Sequence, residues 1–571
     1  MRNFSVPNAF DRTLRVGVLL DSLVVPRWVH SILTNLKTSD YARIELVILN
    51  GSTDPAPTFT SRLRLMPQMP FILYSRLDHR LFRGMVRDDA FVPTPAGDVL
   101  SGVSTMTVVP RRGTFVDRFS DEDVSAVLAQ DLDVLVRFGF RVIKGRMLHA
   151  ARHGVWSYHH GDNRTYRGGP ALFWEMIDRN PVSGTILQIL TEDLDAGRVI
   201  YRSMGKTDVT SLFRNRNENY WKTARFIERR LFDLHRLGPD ALAAASAEIG
   251  EVVPSTEITR APGPVRVTTF AVRTGVEVAR NRVRHQTTNG HWFVAWAPRE
   301  GGLPGIDYLP RFREVPSPPG HFLADPFLAE HEGRTFVFVE SCPHRRSAGV
   351  IAVLELRGES VSEPVTVLDR GYHLSYPAVF RWNDDWYMTP ETASNRTVEL
   401  YRAVEFPWQW ELDTVLLRGV HAVDPTIFEH DGRWWLYTNI ASFGASTADE
   451  LHLFWADSPR GPFTPHGANP VVSDVRRARP AGMPLVHNGN LYRPGQNSAI
   501  RYGHSMTMSR VDRLDPQHYR EVPTGQILPD WLPGAICTHT LNVSDRYVVT
   551  DGMRLVPRWA AARAGRQARR G

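Results

Sequence analysis

The sequence contains few cysteines and no long apolar run. Among its 571 residues only Cys342 and Cys537 carry thiols, too few for a disulfide framework. No apolar run approaches the roughly twenty residues that cross a bilayer, and the first residues lack the charged-then-apolar order of a secretory signal. These absences predict a cytoplasmic protein without a membrane partner.

A strong excess of charge of one sign is also missing. Lys and Arg number 68 and Asp and Glu 61, a net charge of +7. Much of the basic excess lies in residues 554–571, which we expect to form a disordered tail. Without a basic stripe elsewhere, we expect no nucleic-acid partner. The length exceeds what one hydrophobic core serves and predicts several domains.

A glycine-rich turn is absent where a dinucleotide-binding protein needs one. The first strand is followed by "DSLVVPRW", so a nicotinamide cofactor is disfavoured. Apolar strands nevertheless alternate with helical stretches, and this predicts an open, mostly parallel α/β sheet that binds ligands beyond the carboxyl ends of its strands. The predicted strands are 15–20, 43–49, 131–140, 153–159 and 184–190.

The middle of the chain reads as helices. "NYWKTARFIERRLFDLHRLG" has amphipathic spacing and ends at a glycine, as helices commonly do. Pro and Gly in "RAPGPVR" (260–266) mark a break. We therefore predict an α/β catalytic domain over 1–210, a helical extension and linker over 211–288, an all-β domain over 289–553, and the tail.

The all-β region repeats a β-hairpin. "ADPFLAEHEGRTFVFVES", "SYPAVFRWNDDWYMTPET" and "VDPTIFEHDGRWWLYTNI" each place a strand, a polar turn and an aromatic strand in order, and weaker copies start near residues 482 and 538. Strand-only repeats of about fifty residues are typical of propeller blades. Five copies predict five blades, and the strand "HWFVAWAP" (291–298) would close the ring.

These hairpins resemble the five-bladed propeller of furanosidase-type glycoside hydrolases, and more closely the N-terminal propeller of glucosamine inositolphosphorylceramide transferases. The motifs "ADPFL", "SYPAVF…YMTPET" and "VDPTIFEHDGRWWLYTN" carry the resemblance. It implies a funnel lined by Asp325, Tyr376, Glu391, Asp424 and His539. Tyr376 stands where the hydrolases have another acid, which favours binding of a glycan over hydrolysis. Asp before Pro also opens turns, so these residues may be read equally as anchors of the blade starts.

The stretch "SYHHGDNRTYRGG" (157–169) follows a predicted strand and concentrates polar and flexible residues. With "RFGFRVIKGRML" before it and "GTILQILTEDLDAGRVI" after it, it resembles the active site of formyltransferases that use 10-formyltetrahydrofolate, over about residues 14–204. His159 and Asp195 are 36 residues apart, in register with that family.

The resemblance implies roles that agree with the chemistry of formyl transfer, in which an oxyanion forms and an amine loses a proton. A carboxylate beside a histidine orients it and favours its charged form. The implied catalytic residues are His159, Asp195 and Ser157. The implied donor-binding residues are Phe138, Gly139, Phe140, Arg141, Val142, Ile143, Thr191, Glu192 and Asp193. The implied substrate-binding residues are Asn163, Tyr166, Arg167, Gly168 and Gly169.

One position departs from that family. Ser157 replaces its asparagine, so either the serine hydroxyl donates to the oxyanion, or Asn163 or a backbone amide does, or the domain is weakly active. We predict formyl transfer from 10-formyltetrahydrofolate to a primary amine, an amino sugar or nucleotide-linked amino sugar, with no metal. The alternatives are a glycan-binding protein with a weak transferase domain and a propeller glycosidase.

Overall fold

The computed structural model describes residues 12–52, 66–113, 115–250, 255, 257–343, 348–441 and 445–558. The chain divides into two compact units, one up to Glu277 and the other from Val278 onward. We call them the first and the second unit. The helices of the described residues are α1 Arg27–Lys37, α2 Met69–Phe82, α3 Asp121–Leu128, α4 Trp174–Ile177, α5 Leu212–Thr223, α6 Phe226–Leu237, α7 Asp240–Ile249 and α8 Pro264–Thr287.

The first unit is built on a twisted sheet of seven strands in the order β13-β12-β10-β8-β1-β3-β5. β5, β3, β1, β8 and β10 run parallel, and β12 pairs antiparallel with both β10 and β13. This is the open, mostly parallel sheet that the sequence predicts. The strands of this unit are β1 Leu14–Leu20, β2 Val24–Pro26, β3 Ala42–Asn50, β4 Pro93–Pro95, β5 Ser104–Val108, β6 Arg111–Arg112, β7 Val116–Arg118, β8 Val134–Arg137, β9 Val142–Ile143, β10 Val155–His159, β11 Arg167–Gly168, β12 Val182–Ile189, β13 Arg198–Lys206 and β14 Ile258–Thr259.

Both faces of this sheet are covered, which explains why its strands read as continuous apolar runs. Side chains alternate between the faces along a strand. Val134 and Val136 of β8 pack into one hydrophobic cluster with Trp156, and Leu135 packs into a second cluster with Val155. Burial on both faces leaves the strand ends, at Arg137 and His159, as the places where polar side chains gather.

The helices after β13 belong to the first unit. Trp221 of α5, Phe226 and Leu231 of α6 and Leu242 of α7 lie in the same hydrophobic cluster as Val16 of β1. The residues from 211 onward therefore do not form the separate extension and linker of the sequence-based division, and the observed division falls at Glu277 and Val278. Of the expected tail, Pro557 still belongs to a strand, and residues beyond 558 lie outside the described part of the chain.

The second unit consists of successive antiparallel sheets. β17–β21, β22–β25, β26–β30 and β31–β34 form four sheets in chain order, and β15, β16, β35 and β36 form a fifth. β15 pairs along its length with β36, so the strand predicted over 291–298 is present. The strands are β15 Thr288–Pro298, β16 Arg313–Glu314, β17 His321–His331, β18 Arg334–Pro343, β19 Val350–Arg357, β20 Ser360–Val361, β21 Val365–Leu368, β22 Ser375–Trp382, β23 Asp385–Glu391, β24 Thr397–Glu405, β25 Gln409–Arg418, β26 Ala422–His430, β27 Arg433–Ile440, β28 Glu450–Ala456, β29 Thr464–Pro465, β30 Val472–Ser473, β31 Leu485–His487, β32 Asn490–Asn497, β33 Ser505–Leu514, β34 Tyr519–Ile527, β35 Leu541–Val543 and β36 Tyr547–Pro557.

Three of these sheets begin with the same irregularity. The pairing register shifts near the start of β17, β22 and β26. The residue at each shift has a positive φ, 50° for Asp325, 47° for Tyr376 and 50° for Asp424. A β-bulge of this kind bends the strand and re-aims a side chain. The three repeats therefore place a side chain and a backbone N–H group at equivalent positions.

A buried ion pair stabilises one sheet of the second unit. Arg493 of β32 donates to both carboxylate oxygens of Glu521 of β34, at 2.7 and 2.8 Å, and their side chains are 1 % and 2 % exposed. The charges and hydrogen bonds of Arg493 hold the pKa of Glu521 below its usual range, although burial alone would raise it.

We expect Glu521→Gln to lower the free energy of unfolding by roughly 3–5 kcal/mol, because an unpaired guanidinium would stay buried. The matched control is Glu411→Gln, which breaks the exposed Arg402–Glu411 pair and should cost at most about 1 kcal/mol. Denaturant unfolding compares the two variants. Equal effects would mean that burial does not set the strength of the pair.

Candidate functional site

The end of β10 brings together the two residues on which the prediction for the first unit depends. His159 Nδ1 lies 3.4 Å from Asp195 Oδ1, and His159 Nε2 lies 2.8 Å from the backbone oxygen of Tyr166. Asp195 Oδ2 accepts a hydrogen bond from Gly168 N at 3.0 Å. Both ring nitrogens of His159 thus face oxygen acceptors, so the charged imidazolium satisfies both.

The electrostatics agree with a charged pair. Burial alone would lower the pKa of His159, but the hydrogen bond and charge of Asp195 outweigh it and raise that pKa. Burial alone would raise the pKa of Asp195, and His159 outweighs it in the lowering direction. The pair can hold a proton on His159 and release it to an acceptor, which is acid–base chemistry.

Ser157 is not free to donate to a substrate in this arrangement. Its side chain is 1 % exposed, and its Oγ accepts from Arg137 Nε at 3.0 Å and donates to the backbone oxygen of Tyr158 at 3.3 Å. Arg137 also donates to the backbone oxygens of Phe140 and Arg141. Burial lowers the pKa of Arg137, and the nearby charges of Asp195, Asp21 and Asp117 oppose that shift.

Sequence reasoning missed Arg137, Asp21 and Asp117. Asp21 Oδ1 accepts from Phe140 N at 2.8 Å, and Asp117 holds Arg141 through N, Nε and Nη2. Asp21 directly follows the first strand, and this position at the carboxyl end of a strand could have indicated a site residue. The two carboxylates thus accept hydrogen bonds from backbone N–H groups of the loop that was predicted to bind the formyl donor.

The rest of that loop is held by backbone pairing. Val142 and Ile143 pair with β7. A Cβ on Gly139 would lie 2.4 Å from Asp21 N, so glycine is required there. In the second predicted segment, Glu192 accepts from Gly145 N at 2.8 Å.

The predicted substrate-binding residues mostly hold the loop itself. Asn163 is fully buried and donates to the backbone oxygen of Asp195 at 3.1 Å. Arg167 donates to the backbone oxygens of Ser255 and Leu194. Gly168 has a φ of 91°, and a Cβ there would meet Thr259 O at 2.4 Å. Tyr166 is buried, and Gly169 N donates to Thr259 O.

A second carboxyl near His159 was also missed. Glu175 of α4 is 1 % exposed, and among the residues that the structure describes its Oε1 has no hydrogen-bond partner. Burial raises its pKa to about 7, against the charge of His159. A carboxyl that is half protonated near neutral pH adds a second proton-exchanging group to this site.

The second unit contains a cluster of buried carboxyl groups at the starts of its sheets. We call Asp325, Glu391, Asp424, Asp551, His539 and Arg479 the carboxylate cluster. Asp551 Oδ2 accepts from Asp325 N at 3.1 Å, and Asp325 Oδ2 accepts from Tyr376 N at 3.2 Å. Glu391 Oε2 accepts from Asp424 N at 3.2 Å. The cluster therefore joins the start of one sheet to the start of the next.

Two cations lie among these acids. Arg479 contacts Asp424 at 2.5 and 3.1 Å and Glu391 at 3.5 Å. His539 Nδ1 lies 2.6 Å from Asp551, and its Nε2 lies 3.7 Å from Asp325. Four of the five members that the sequence predicts for the funnel, all except Tyr376, thus belong to one group.

Tyr376 lies apart from the cluster's polar surface. It is fully buried, and its hydroxyl accepts from Gly482 N at 2.7 Å and contacts Thr426 Oγ1 at 3.0 Å. Its ring packs edge-on against Phe327, with centroids 4.8 Å apart. The expectation that Tyr376 offers a ring to a ligand in the funnel is corrected, because its hydroxyl and ring are both engaged inside the unit.

Two acids of the cluster, Glu391 and Asp325, have pKa values above their ordinary ranges. Burial, aided by the charge of Asp424, raises the pKa of Glu391 to about 8. Burial, with the charges of Asp424 and Asp551 and against that of His539, raises the pKa of Asp325 to about 6. A protonated Glu391 carboxyl can both donate and accept a hydrogen bond with a hydroxyl group.

Aromatic rings adjoin the cluster. Trp292 stacks on His539, with centroids 4.0 Å apart and planes at 17°. Tyr502 meets His539 edge-on at 5.4 Å, and the Arg479 guanidinium lies over its ring at 4.9 Å. Tyr502 is 46 % exposed, and Trp292 is half-buried. Polar groups and partly exposed rings therefore occur side by side.

One group of residues has the composition of a metal site. Asp325, His539 and Asp551 each bring a ligand atom within 4.8 Å of the others. Burial alone would lower the pKa of His539, but the charges of Asp551 and Asp325 raise it to about 8. A protonated imidazole has no lone pair for a metal, so at neutral pH these residues fit an ion pair better than a metal centre.

The sequence comparisons match the second unit. The family model described as "Glucosamine inositolphosphorylceramide transferase 1, N-terminal" matches residues 313–530. Glucosamine inositolphosphorylceramide transferase 1 of Oryza sativa subsp. japonica is 33% identical over 210 residues, 36% of this chain and 28% of the relative. The Arabidopsis thaliana protein of the same name is 36% identical over 209 residues, 36% of this chain and 27% of the relative. The chain spans less than a third of the length of these curated relatives.

Solved structures resemble the two units more distantly. Zg3597, a family 117 glycoside hydrolase from Zobellia galactanivorans, is 13% identical and covers 46% of this chain and 90% of its own, with a TM-score of 0.31. Glycinamide ribonucleotide transformylase 1 from Symbiobacterium toebii is 17% identical and covers 45% of this chain and 99% of its own, with a TM-score of 0.24. Likenesses of this size carry no conclusion about function.

These comparisons confirm one predicted resemblance and contradict the predicted function. The resemblance of residues 289–553 to glucosamine inositolphosphorylceramide transferases is confirmed over 313–530. The predicted formyl transfer to an amine, and with it the class of formyltransferase, is wrong, because the matching relatives are named as transferases of another kind. The membership of the first unit in the formyltransferase family is not confirmed, and the folate donor is untested.

Within the described ranges, no helix combines the length and the apolar character that spanning a bilayer requires. The cytoplasmic location stays a prediction.

We expect Asp195→Asn to lower the pKa of His159 below the ordinary histidine value of about 6.5, because burial would then act without the carboxylate. NMR titration of the imidazole measures this. The group with the raised pKa stabilises the native state below about pH 6.5 and loses that contribution as pH rises through its folded pKa. The matched control is Asp193→Asn, in the same loop, which should leave the titration in place. An unchanged His159 pKa in Asp195→Asn would contradict the pairing.

We expect His539 to make the stability of the second unit fall as pH rises. Its pKa of about 8, above the ordinary histidine pKa of about 6.5, corresponds to about 2 kcal/mol that is present below about pH 6.5 and lost as pH rises through 8. Denaturant unfolding at pH 6 and pH 9 should show this loss in the native protein and a smaller one in His539→Gln. His504→Gln is the control, and an equal loss in His539→Gln would refute the assignment.

Proposed function

We propose that the protein is an enzyme of sugar transfer and that its second unit is a five-bladed propeller that binds a sugar at the carboxylate cluster. The carrying observation is the association of Trp292 and Tyr502 with that cluster. Sugars present both apolar ring faces and hydroxyl groups, and aromatic rings beside fixed donors and acceptors recognise both. The names of the relatives support this class of activity.

The arrangement of the sheets supports the propeller. Five antiparallel sheets follow one another, and the fifth joins strands from both ends of the unit. Pairing of the last strand with the first is the usual way in which a propeller closes its ring. The hydrogen bonds that Asp325 N donates to Asp551 and Tyr376 N donates to Asp325 connect three sheets, through β36, β17 and β22.

The charges favour an amino sugar. The cluster contains four acids, Asp325, Glu391, Asp424 and Asp551, against the cations Arg479 and His539. Glu340, also buried, adds a carboxyl whose pKa burial and these acids raise well above its usual value. The ammonium group of a ligand would supply the positive charge that a proton bound to one of these carboxyls otherwise supplies. A neutral sugar carries no such charge.

The first unit supplies a separate group for acid–base chemistry. Glu175, whose pKa burial raises to about 7, can exchange protons near neutral pH, and Asp195 raises the pKa of His159 and so holds a proton on it. We assign to the charged His159 the donation of a proton to the leaving-group oxygen as the bond to the transferred sugar breaks, and to the ionised form of Glu175 the acceptance of the proton that the attacking hydroxyl loses.

We expect an oligosaccharide of glucosamine residues to bind more tightly than its N-acetylated counterpart, and Trp292→Ala to weaken binding about fivefold or more, the value of an aromatic contact of about 1 kcal/mol. Isothermal titration calorimetry measures both. Trp408→Ala is the matched control, because Trp408 is 38 % exposed and lies at a different turn. Equal losses in the two tryptophan variants, or no binding by the native protein, would overturn the proposal.

A further inference from the structure

Helix α2 exposes a continuous apolar stripe. Met69, Leu73, Leu77 and Leu81 are 41%, 57%, 57% and 58% exposed, and Met85, just past the helix, is 67% exposed. These residues recur every four positions and therefore line one side of the helix. Soluble proteins scatter single exposed leucines over their surfaces, whereas a contiguous stripe marks a contact surface.

The opposite side of α2 explains why the helix holds this orientation. Phe71 packs edge-on against Phe173, with centroids 4.8 Å apart, and Tyr74 packs against Phe270 of α8 at 5.6 Å. Asp78 is 4 % exposed and accepts from Phe213 N at 2.6 Å. The stripe is thus the side that the interior of the first unit leaves uncovered.

Arginines flank the stripe. Arg76, Arg80, Arg83 and Arg87 are all exposed, and within the described part of the chain none of them forms an ion pair. The nearby acids are engaged elsewhere: Asp78 is buried, and Asp89 lies 3.5 Å from His79. The surface is therefore both apolar and positively charged.

Helix α8 continues this character next to α2. Val265 and Val272 are 79% and 62% exposed, and Arg266 and Arg273 are exposed beside them. Tyr74 and Phe270 join the two helices.

We propose that this surface, Met69 to Arg87 of the first unit, docks on an anionic lipid bilayer, with α2 lying in the plane of the interface. A helix with an apolar side and flanking arginines has the chemistry of interfacial helices, whose leucines enter the acyl boundary while cations meet headgroup phosphates. A second copy of the chain fits the same stripe less well, because pairing two stripes would bring eight arginines together without carboxylates to match them.

The proposal stands apart from the sugar site, which lies in the second unit. It differs from spanning a membrane, since a helix of 14 residues lying in the interface is too short to cross. It also replaces the sequence-based expectation that the protein has no membrane partner.

The experiment uses the full chain and two single-cysteine labels. Leu77→Cys and, as matched control, Leu128→Cys on α3 (46 % exposed) are labelled with an environment-sensitive fluorophore, since the native thiols Cys342 and Cys537 are buried. Vesicles of phosphatidylcholine alone are compared with vesicles containing 30 mole per cent phosphatidylserine, about the anionic content that such surfaces need to attract basic segments. We expect a blue shift at position 77 with the anionic vesicles alone and none at position 128.

Charge and apolar contributions are then separated. Replacing Arg76, Arg80, Arg83 and Arg87 by Gln should weaken vesicle binding about fivefold per arginine at low salt, and raised salt should weaken native binding likewise. Leu73→Ser with Leu77→Ser should abolish sedimentation with vesicles while the thermal midpoint stays near that of Leu128→Ser.

Three results would overturn the proposal. A label at position 77 that is blue-shifted without vesicles and unchanged by them would mean that another part of the chain or a second copy covers the stripe, and analytical ultracentrifugation would distinguish these. Equal binding to neutral and anionic vesicles would show that the arginines do not bind anionic headgroups. Undiminished sedimentation of the Leu73→Ser, Leu77→Ser variant would show that the stripe does not enter the bilayer.

Discussion

The second unit depends on carboxylates that accept hydrogen bonds from the backbone of a neighbouring sheet. Asp551 holds Asp325 N, and Asp325 in turn holds Tyr376 N. Backbone N–H groups in irregular, buried positions need such partners, since an unsatisfied one costs about 1–3 kcal/mol. The acids that could bind a cation or a hydroxyl group are thus the same groups that link neighbouring sheets. Ligand binding and stability therefore depend on the same carboxylates.

The first unit uses carboxylates in the same way. Asp21 and Asp117 hold the loop of Phe140 and Arg141, and Asp195 holds Gly168 N. The loops beyond the strand ends are therefore fixed by side-chain carboxylates together with short backbone pairings. Their geometry brings His159 to Asp195 in a buried place, where the charge of each shifts the pKa of the other.

Periodicity predicted what depends on local sequence. The structure has β1, β8, β10 and the repeated hairpins of the second unit at the predicted positions. Burial on one or both faces of a sheet produces a pattern of apolar residues that can be recognised in the sequence. The pairing of His159 with Asp195 was also accessible, through the spacing of two motifs. The division at Glu277 was not, because α5 to α7 carry amphipathic patterns that do not specify which surface they pack against. Nor were the burial of Tyr376 and the approach of Arg137 to Ser157, which are contacts between distant segments. The function inferred from the first unit failed for another reason: a motif reports the chemistry of a family, and the same fold and residues serve other reactions.

The exchange of Asp for Tyr at the second sheet start has a consequence for how such a protein changes over time. The backbone at Asp325, Tyr376 and Asp424 keeps one conformation although the side chains differ, and where Tyr376 offers no carboxylate to the next sheet, Glu391 from the end of β23 takes over the contact with Asp424 N. The residue whose carboxylate accepts the hydrogen bond from the next sheet can therefore differ from one repeat to another. A site supported in this way can lose one acid, and so change its ligand preference, while the scaffold that carries it persists.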